Sequence, residues 1–321
     1  MKALKGILFI AIAASLGLMG CSEAMGPDTS GDSTSSVETS AQELGHGWKP
    51  GPGVHTAWTW DGQDISYRVV GDGHRDIIMV HGWSVDGSVF DLLAAELQSS
   101  DYRLIIPDLR GTGNSSKPAT GYTIDRYARD VLAVARHARA GRFVLVGHSM
   151  GGAIAQKVAA MRPGRIQGLM LMSPVPASGF PLPQESYDLF RASATDASLK
   201  ELIFQISSVA LEPSELQLLN DSASTVAPQA SRESLDAWTG ADFDDELFRI
   251  RAETLVLVSD DPFMNEAFLQ QTVADPIGDN ASVTYFPGAG HYVYVEKAAE
   301  SATVIDDFID GLPGRGYCRR P

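Results

Sequence analysis

The stretch Arg142-Phe143-Val144-Leu145-Val146-Gly147-His148-Ser149-Met150-Gly151-Gly152 leaves few choices for what can surround it. It opens as a continuous apolar, β-branched run of the kind buried on both faces of a sheet. It breaks at Gly147, and past Ser149 two more glycines lead into residues 153–161, whose apolar period is helical. Strand, sharp turn and helix, with Gly147-His148-Ser149-Met150-Gly151 at the turn, fit the G-x-S-x-G pattern. So tight a turn predicts strained backbone at Ser149. It also predicts that a Cβ at Gly147 or Gly151 would strike the adjoining strand or helix. The outcome would be a serine hydroxyl at the C-terminal edge of a sheet, beside the positive end of a helix.

The rest of the body repeats this rhythm. Residues 57–60 and 65–70 read as a hairpin on an Asp61-Gly62 turn. Residues 77–80, 103–106 and 166–172 are further buried strands, with helices over 88–97 and 122–138. Strands alternating with helices mean an α/β fold: a mostly parallel central sheet flanked by helices. The rhythm lapses from 174 to about 248, where helical pieces at 184–194, 199–211 and 231–239 come without a strand. It returns with strands at 254–258 and 282–286 and a helix over 296–310. The expected layout is a core in two parts, 55–173 and 251–313, interrupted by a helical cap over 174–250.

Ahead of the core, residues 1–20 carry Lys2 and Lys5 and then an apolar run too short for a comfortable membrane span. That is the layout of a secretory signal. Leu18-Met19-Gly20-Cys21 resembles a bacterial lipobox, which implies lipidation at Cys21; ordinary secretion is the alternative. Ser22 follows where an aspartate would signal inner-membrane retention, favouring the outer membrane or surface in a Gram-negative cell. Residues 21–54, rich in Ser, Thr, Gly, Asp and Pro, read as a flexible tether. Residues 314–321 read as a frayed tail. The second of the two cysteines, Cys318, falls there, so no disulfide framework and no metal-ligand cluster is expected. A formal charge of −15 argues against nucleic acid as a partner and against electrostatic docking on anionic lipid.

A serine hydroxyl needs a base to become a nucleophile. Position sorts the seven histidines. His46 and His55 belong to the tether and its end, His74 to a turn, and His137 to the end of a helix. His148 is locked in the elbow and His81 closes a strand, where packing or loop structure is the expected role. His291, in the Pro287-Gly288-Ala289-Gly290-His291 loop after the last strand, is the expected base. Its carboxylate partner should follow the strand ending at Val258, where Asp260 and Asp261 both stand, in the chain order Ser, Asp, His.

Five segments, in order, then carry a resemblance: His81-Gly82-Trp83, Asp108-Leu109-Arg110-Gly111-Thr112-Gly113, Gly147 to Gly152, Asp261-Pro262-Phe263 and Gly290-His291. They resemble the α/β-hydrolase fold family, in the branch of carboxylesterases, cofactor-free haloperoxidases, C–C bond hydrolases and lactonases. The family's acid loop usually reads Gly-x-x-Asp. Here Ser259 stands at the glycine and one residue is missing, so alignment on Asp-Pro-Phe favours Asp261 and a gap elsewhere favours Asp260. The resemblance implies a Ser149-His291-Asp261 triad and an oxyanion hole from the backbone N–H groups of Trp83 and Met150, whose side chains would floor the pocket. It implies acyl transfer on a small-molecule ester or lactone, with no metal and no organic cofactor. Contact with the membrane is expected only through the N-terminal lipid, and no obligate protein partner is expected. Other triad chemistry (C–C, perhydrolytic or amide cleavage) and a non-catalytic binding lipoprotein are the alternatives. Serine in place of aspartate at position 149 argues against dehalogenase and epoxide-hydrolase chemistry.

Overall fold

A computed structural model describes residues 49–97 and 101–313. The leader, Cys21, most of the tether, and the tail with Cys318 lie outside the described residues. The strands are β1 (Gly53–Trp58), β2 (Asp64–Val70), β3 (Arg75–Val80), β4 (Tyr102–Pro107), β5 (Phe143–His148), β6 (Ile166–Met172), β7 (Thr254–Ser259) and β8 (Ala281–Phe286). They form one eight-stranded sheet in the order β1-β2-β4-β3-β5-β6-β7-β8. β2 runs antiparallel to both of its neighbours and the other pairs after it are parallel.

Alternation along the strands explains why their sequences are apolar throughout. Ile78, Val80, Leu145 and Leu171 face one core with helices α2 (Ile124–His137) and α3 (Met150–Met161). Ile77, Met79, Val146 and Met172 face the other, with α1 (Asp91–Leu97) and α11 (Ala298–Gly311). Both faces are buried, so both parities must be apolar.

Between β6 and β7 the chain forms α4 (Gln184–Ala192), α5 (Ala197–Ser207), α6 (Pro213–Ser224) and α7 (Pro228–Thr239), with no strand among them. The sequence reading missed α6, whose Glu212–Glu215 capping box and Pro213 mark its start better than its weak apolar stripe does. It also missed the helical run between β7 and β8, made of α8 (Glu266–Leu269), a π turn (Gln270–Ala274) and α9 (Asp275–Ile277). The closing helix is two pieces, α10 (Val293–Glu296) and α11. β1 begins at Gly53, inside the stretch assigned to the tether. No helix among the described residues is long and apolar enough to cross a membrane.

The sheet order reverses between β3 and β5: from β3 the chain steps to β4 on one side, then returns to β5 on the other. In open α/β sheets the crevice beyond the C-terminal ends of such strands is where ligands bind. Gly82 follows β3 and Ser149 follows β5.

Candidate active site

Ser149 holds φ 54° and ψ −121°, a conformation that a residue with a side chain rarely adopts. The turn is clamped on both sides: Ser149 N–H donates to the Met172 carbonyl, and the Ser149 carbonyl accepts from Gly152 and Val175. A Cβ on Gly147 would lie 2.4 Å from the Gly151 carbonyl oxygen, and one on Gly151 2.3 Å from that of Val80. Close approach, rather than positive φ, demands both glycines. Packed so tightly, the first turn of α3 meets the end of β3. There a Cβ on Gly82 would stand 3.1 Å from Ser149 Cβ. The Gly82-Trp83 backbone therefore lies directly against the serine.

His291 arrives from the loop after β8. Its Nδ1 bonds Asp261 Oδ2 at 2.6 Å, while Asp261 Oδ1 accepts from the Phe263 N–H at 2.7 Å. Both carboxylate oxygens are thus held, and the Asp261 side chain is buried. Asp260 points elsewhere, accepting from Tyr285 Oη at 2.5 Å and the Gly288 N–H at 2.9 Å. Ser259, where the family pattern has glycine, donates its hydroxyl to the Gly290 carbonyl at 2.7 Å and so ties the acid loop to the histidine loop.

The other buried histidines hold structure. His148 Nε2 donates to the His291 carbonyl at 2.9 Å and its Nδ1 accepts from Tyr294 Oη at 3.2 Å. Burial drives its pKa well down, so it is a neutral prop beneath His291. His81 Nε2 accepts from the Leu109 N–H at 3.0 Å, so its Nδ1–H is the donor to the Gly82 carbonyl. Burial lowers its pKa as well.

Ser149 and His291 open on one narrow cleft. Its walls are mostly apolar, with Trp83, Phe180, Phe190, Ile203, Trp238 and Phe263 prominent. Trp83 is fixed by a 2.7 Å bond from its indole N–H to the Ser231 carbonyl on α7 and by stacking on Phe190 of α4. The Met150 side chain is buried and does not line the cleft, because the direction that α3 takes from the elbow turns it into the core under the sheet edge. The expected apolar floor is therefore tryptophan alone. No group of three or more potential metal ligands occurs among the described residues.

The model of the "Alpha/beta hydrolase family" matches residues 77–304. The chain belongs to that family. A non-heme haloperoxidase of Rhodococcus erythropolis is 31% identical over 252 residues, 72% of this chain and 90% of that protein. An esterase of Exiguobacterium antarcticum superposes with a TM-score of 0.73 at 22% identity, over 79% of this chain and 98% of that one. Est816, described as an N-acyl homoserine lactone degrading enzyme, gives 0.68 at 27% identity over 79% and 100%.

In this α/β hydrolase the four helices between β6 and β7 meet the C-terminal sheet edge at defined points. Ser222 and Thr225 donate to Asp86 in the loop after β3, at 2.9 and 2.8 Å. The Ser207 carbonyl at the end of α5 accepts from the His291 N–H at 2.8 Å. Of the apolar residues in this insertion, Phe180, Phe190 and Ile203 reach the cleft, whereas Phe204 packs in the core with α1 and α11, and Val209 is exposed. Trp238 and Phe263 line the cleft too, and nothing in the sequence marked either as a cleft residue. Helical period places Trp238 on the buried side of α7 but cannot say which cavity it faces.

Proposed function

We propose that the protein hydrolyses carboxylic esters or lactones by acyl transfer through Ser149, His291 and Asp261. The observation that carries this reading is the Asp261–His291 bond, which holds His291 in the cleft that Ser149 also lines. Asp261 holds the imidazole with Nδ1–H toward itself, leaving Nε2 as the base. Ser149 Oγ gives its proton to Nε2 and attacks the carbonyl carbon. The alcohol leaves with that proton, and water repeats the sequence on the acyl-enzyme. Negative charge on the tetrahedral oxygen meets the backbone N–H groups of Trp83 and Met150, each worth about 3–4 kcal/mol of barrier in the best-measured protease. The aromatic lining suits an apolar acyl group or ring, and the lactone-degrading relative supports including lactones. Export and lipid attachment through Cys21 complete the proposal, supported by the basic, then apolar leader.

The test is hydrolysis of p-nitrophenyl esters of increasing acyl length by the chain and by Ser149→Ala. We expect turnover to fall at least about 10³-fold in the variant. Turnover that persists in Ser149→Ala, or a folded protein inert on every ester and lactone, would sink the reading. The Rhodococcus relative favours a second one, perhydrolysis, in which hydrogen peroxide takes the place of water in the second half. Peracid formed in the same assay with added peroxide separates the two.

A further inference from the structure

Acidic residues are spread along most of this chain, yet none occurs between Asp130 and Glu185. Six basic residues fall in that interval: Arg136, Arg139, Arg142, Lys157, Arg162 and Arg165. The fold gathers the five arginines in one place. α2 ends at His137 before β5 starts at Phe143, and α3 ends at Met161 before β6 starts at Ile166. Both connections therefore lie at the N-terminal edge of the sheet. Arg165 joins them, donating from Nε and Nη2 to the carbonyls of Gly141 and Ala140 at 2.5 Å each. Arg136, Arg142 and Arg162 are exposed. Acidic residues at this edge are Asp72 and Asp76 at the start of β3, with Asp76 paired to Arg103; Asp101 ahead of β4, bonded to His74; Glu253 ahead of β7; Asp279 ahead of β8; and Asp310 at the end of α11, paired to Arg75.

A second observation concerns the same edge. Arg103, at the start of β4, donates from Nη1 to the Pro50 carbonyl at 3.1 Å and from Nη2 to the Ala138 carbonyl at 2.8 Å. The chain thus enters the body beside the end of α2, next to the arginines. The 48 residues ahead of Lys49, with the apolar leader and Cys21, all precede this point.

We propose that the arginine edge docks on the anionic lipid headgroups of the membrane to which Cys21 attaches the chain. This rests on the lipid anchoring proposed above. A net charge of −15 argues the other way only if charge acts as a sum. At physiological salt a surface charge is felt over about 8 Å, so the sign of the facing patch decides. β5 runs roughly 20 Å from this edge to Ser149. Docked so, the body turns its cleft away from the bilayer, and its substrates come from water rather than from membrane lipid.

The test uses the full chain, made in a host that processes lipoproteins and reconstituted into vesicles carrying a dansylated lipid. The vesicles are phosphatidylcholine alone, or phosphatidylcholine mixed with phosphatidylglycerol. Energy transfer from the protein's tryptophans to the dansyl group reads how close the body lies. Each arginine near an anionic surface favours docking about fivefold, so Arg136→Gln, Arg142→Gln and Arg162→Gln together lower the docked-to-undocked ratio about a hundredfold. We expect high transfer over the anionic vesicles, reversed by salt and by the triple variant, whose melting temperature stays unchanged. Equal transfer over both vesicle types overturns the docking. A chain that sediments with anionic vesicles but not with neutral ones overturns the anchor and sustains the docking.

Discussion

His291 does its proposed work only if its ring is held, and three residues hold it: Asp261 at Nδ1, His148 at the carbonyl, and Ser207 at the N–H. Asp261→Asn removes the acceptor that fixes the tautomer, so kcat should fall about 10⁴-fold with little change in KM, as in the template protease. Asp260→Asn disturbs the Tyr285 and Gly288 bonds rather than the His291 ring and should leave kcat within about threefold of the parent. Equal losses in the two variants would reopen the choice of acid. Lys200 presents a different case at the same scale. It is a buried amine on α5, bonded to the Ser84 hydroxyl and lying 5.5 Å over the Trp83 ring, and burial alone acts on its charge. Burial pulls its pKa from 10.5 to about 8. The folded state therefore disfavours the charged amine. The cost is fully present below pH 8, fades as pH rises from 8 to 10.5, and is gone above that. Lys200→Met should stabilise the protein at neutral pH by up to about 3 kcal/mol. The parent's rise in stability between pH 8 and 10.5 should be missing from the variant. Urea unfolding at a series of pH values reads both.

Among the elements, the loop after β4 depends most on a single side chain. Arg110 is buried and grips Asp130 on α2 through two 2.6 Å bonds and Asp61 in the β1–β2 turn through bonds of 2.9 and 3.2 Å. One guanidinium thus ties together three elements that are distant in sequence. The arginine holds Asp61 down to about 2, so this contribution to stability is present above pH 4 and is lost as pH falls through 2. Arg110→Met leaves the Asp130 carboxyl buried without its partner and should cost about 3–5 kcal/mol. Because the network lies away from the cleft, whatever protein stays folded should keep the parent kcat, measurable by comparing active-site titre with melting temperature. The motif containing Arg110 was visible in the sequence. Its role was not, since neither Asp61 nor Asp130 lies at a helical or strand spacing from it.

For the molecule as a whole, the two ends of the parallel sheet have opposite characters, with arginines at the N-terminal edge and the apolar, aromatic cleft at the other. Net charge is blind to that division. Much else was legible in the chain. Glycine spacing around Ser149 dictated the elbow, because backbone geometry at a tight turn is local. Continuous apolar runs dictated a sheet buried on both faces, because strand parity is local too. The order Ser, Asp, His came from the family pattern. Other features depended on which distant segments meet. The choice between Asp260 and Asp261 is one residue of register in a loop, and only the return of the Gly290-His291 loop onto Ser259 sets it. The same holds for the cleft lining, where Phe180 from the loop before α4, Phe190 of α4 and Trp238 of α7 converge at angles no periodicity encodes. The sequence by itself determined what local sterics and parity control. The tertiary structure decided which side chains converge, because convergence is a property of packing between elements and not of any one of them.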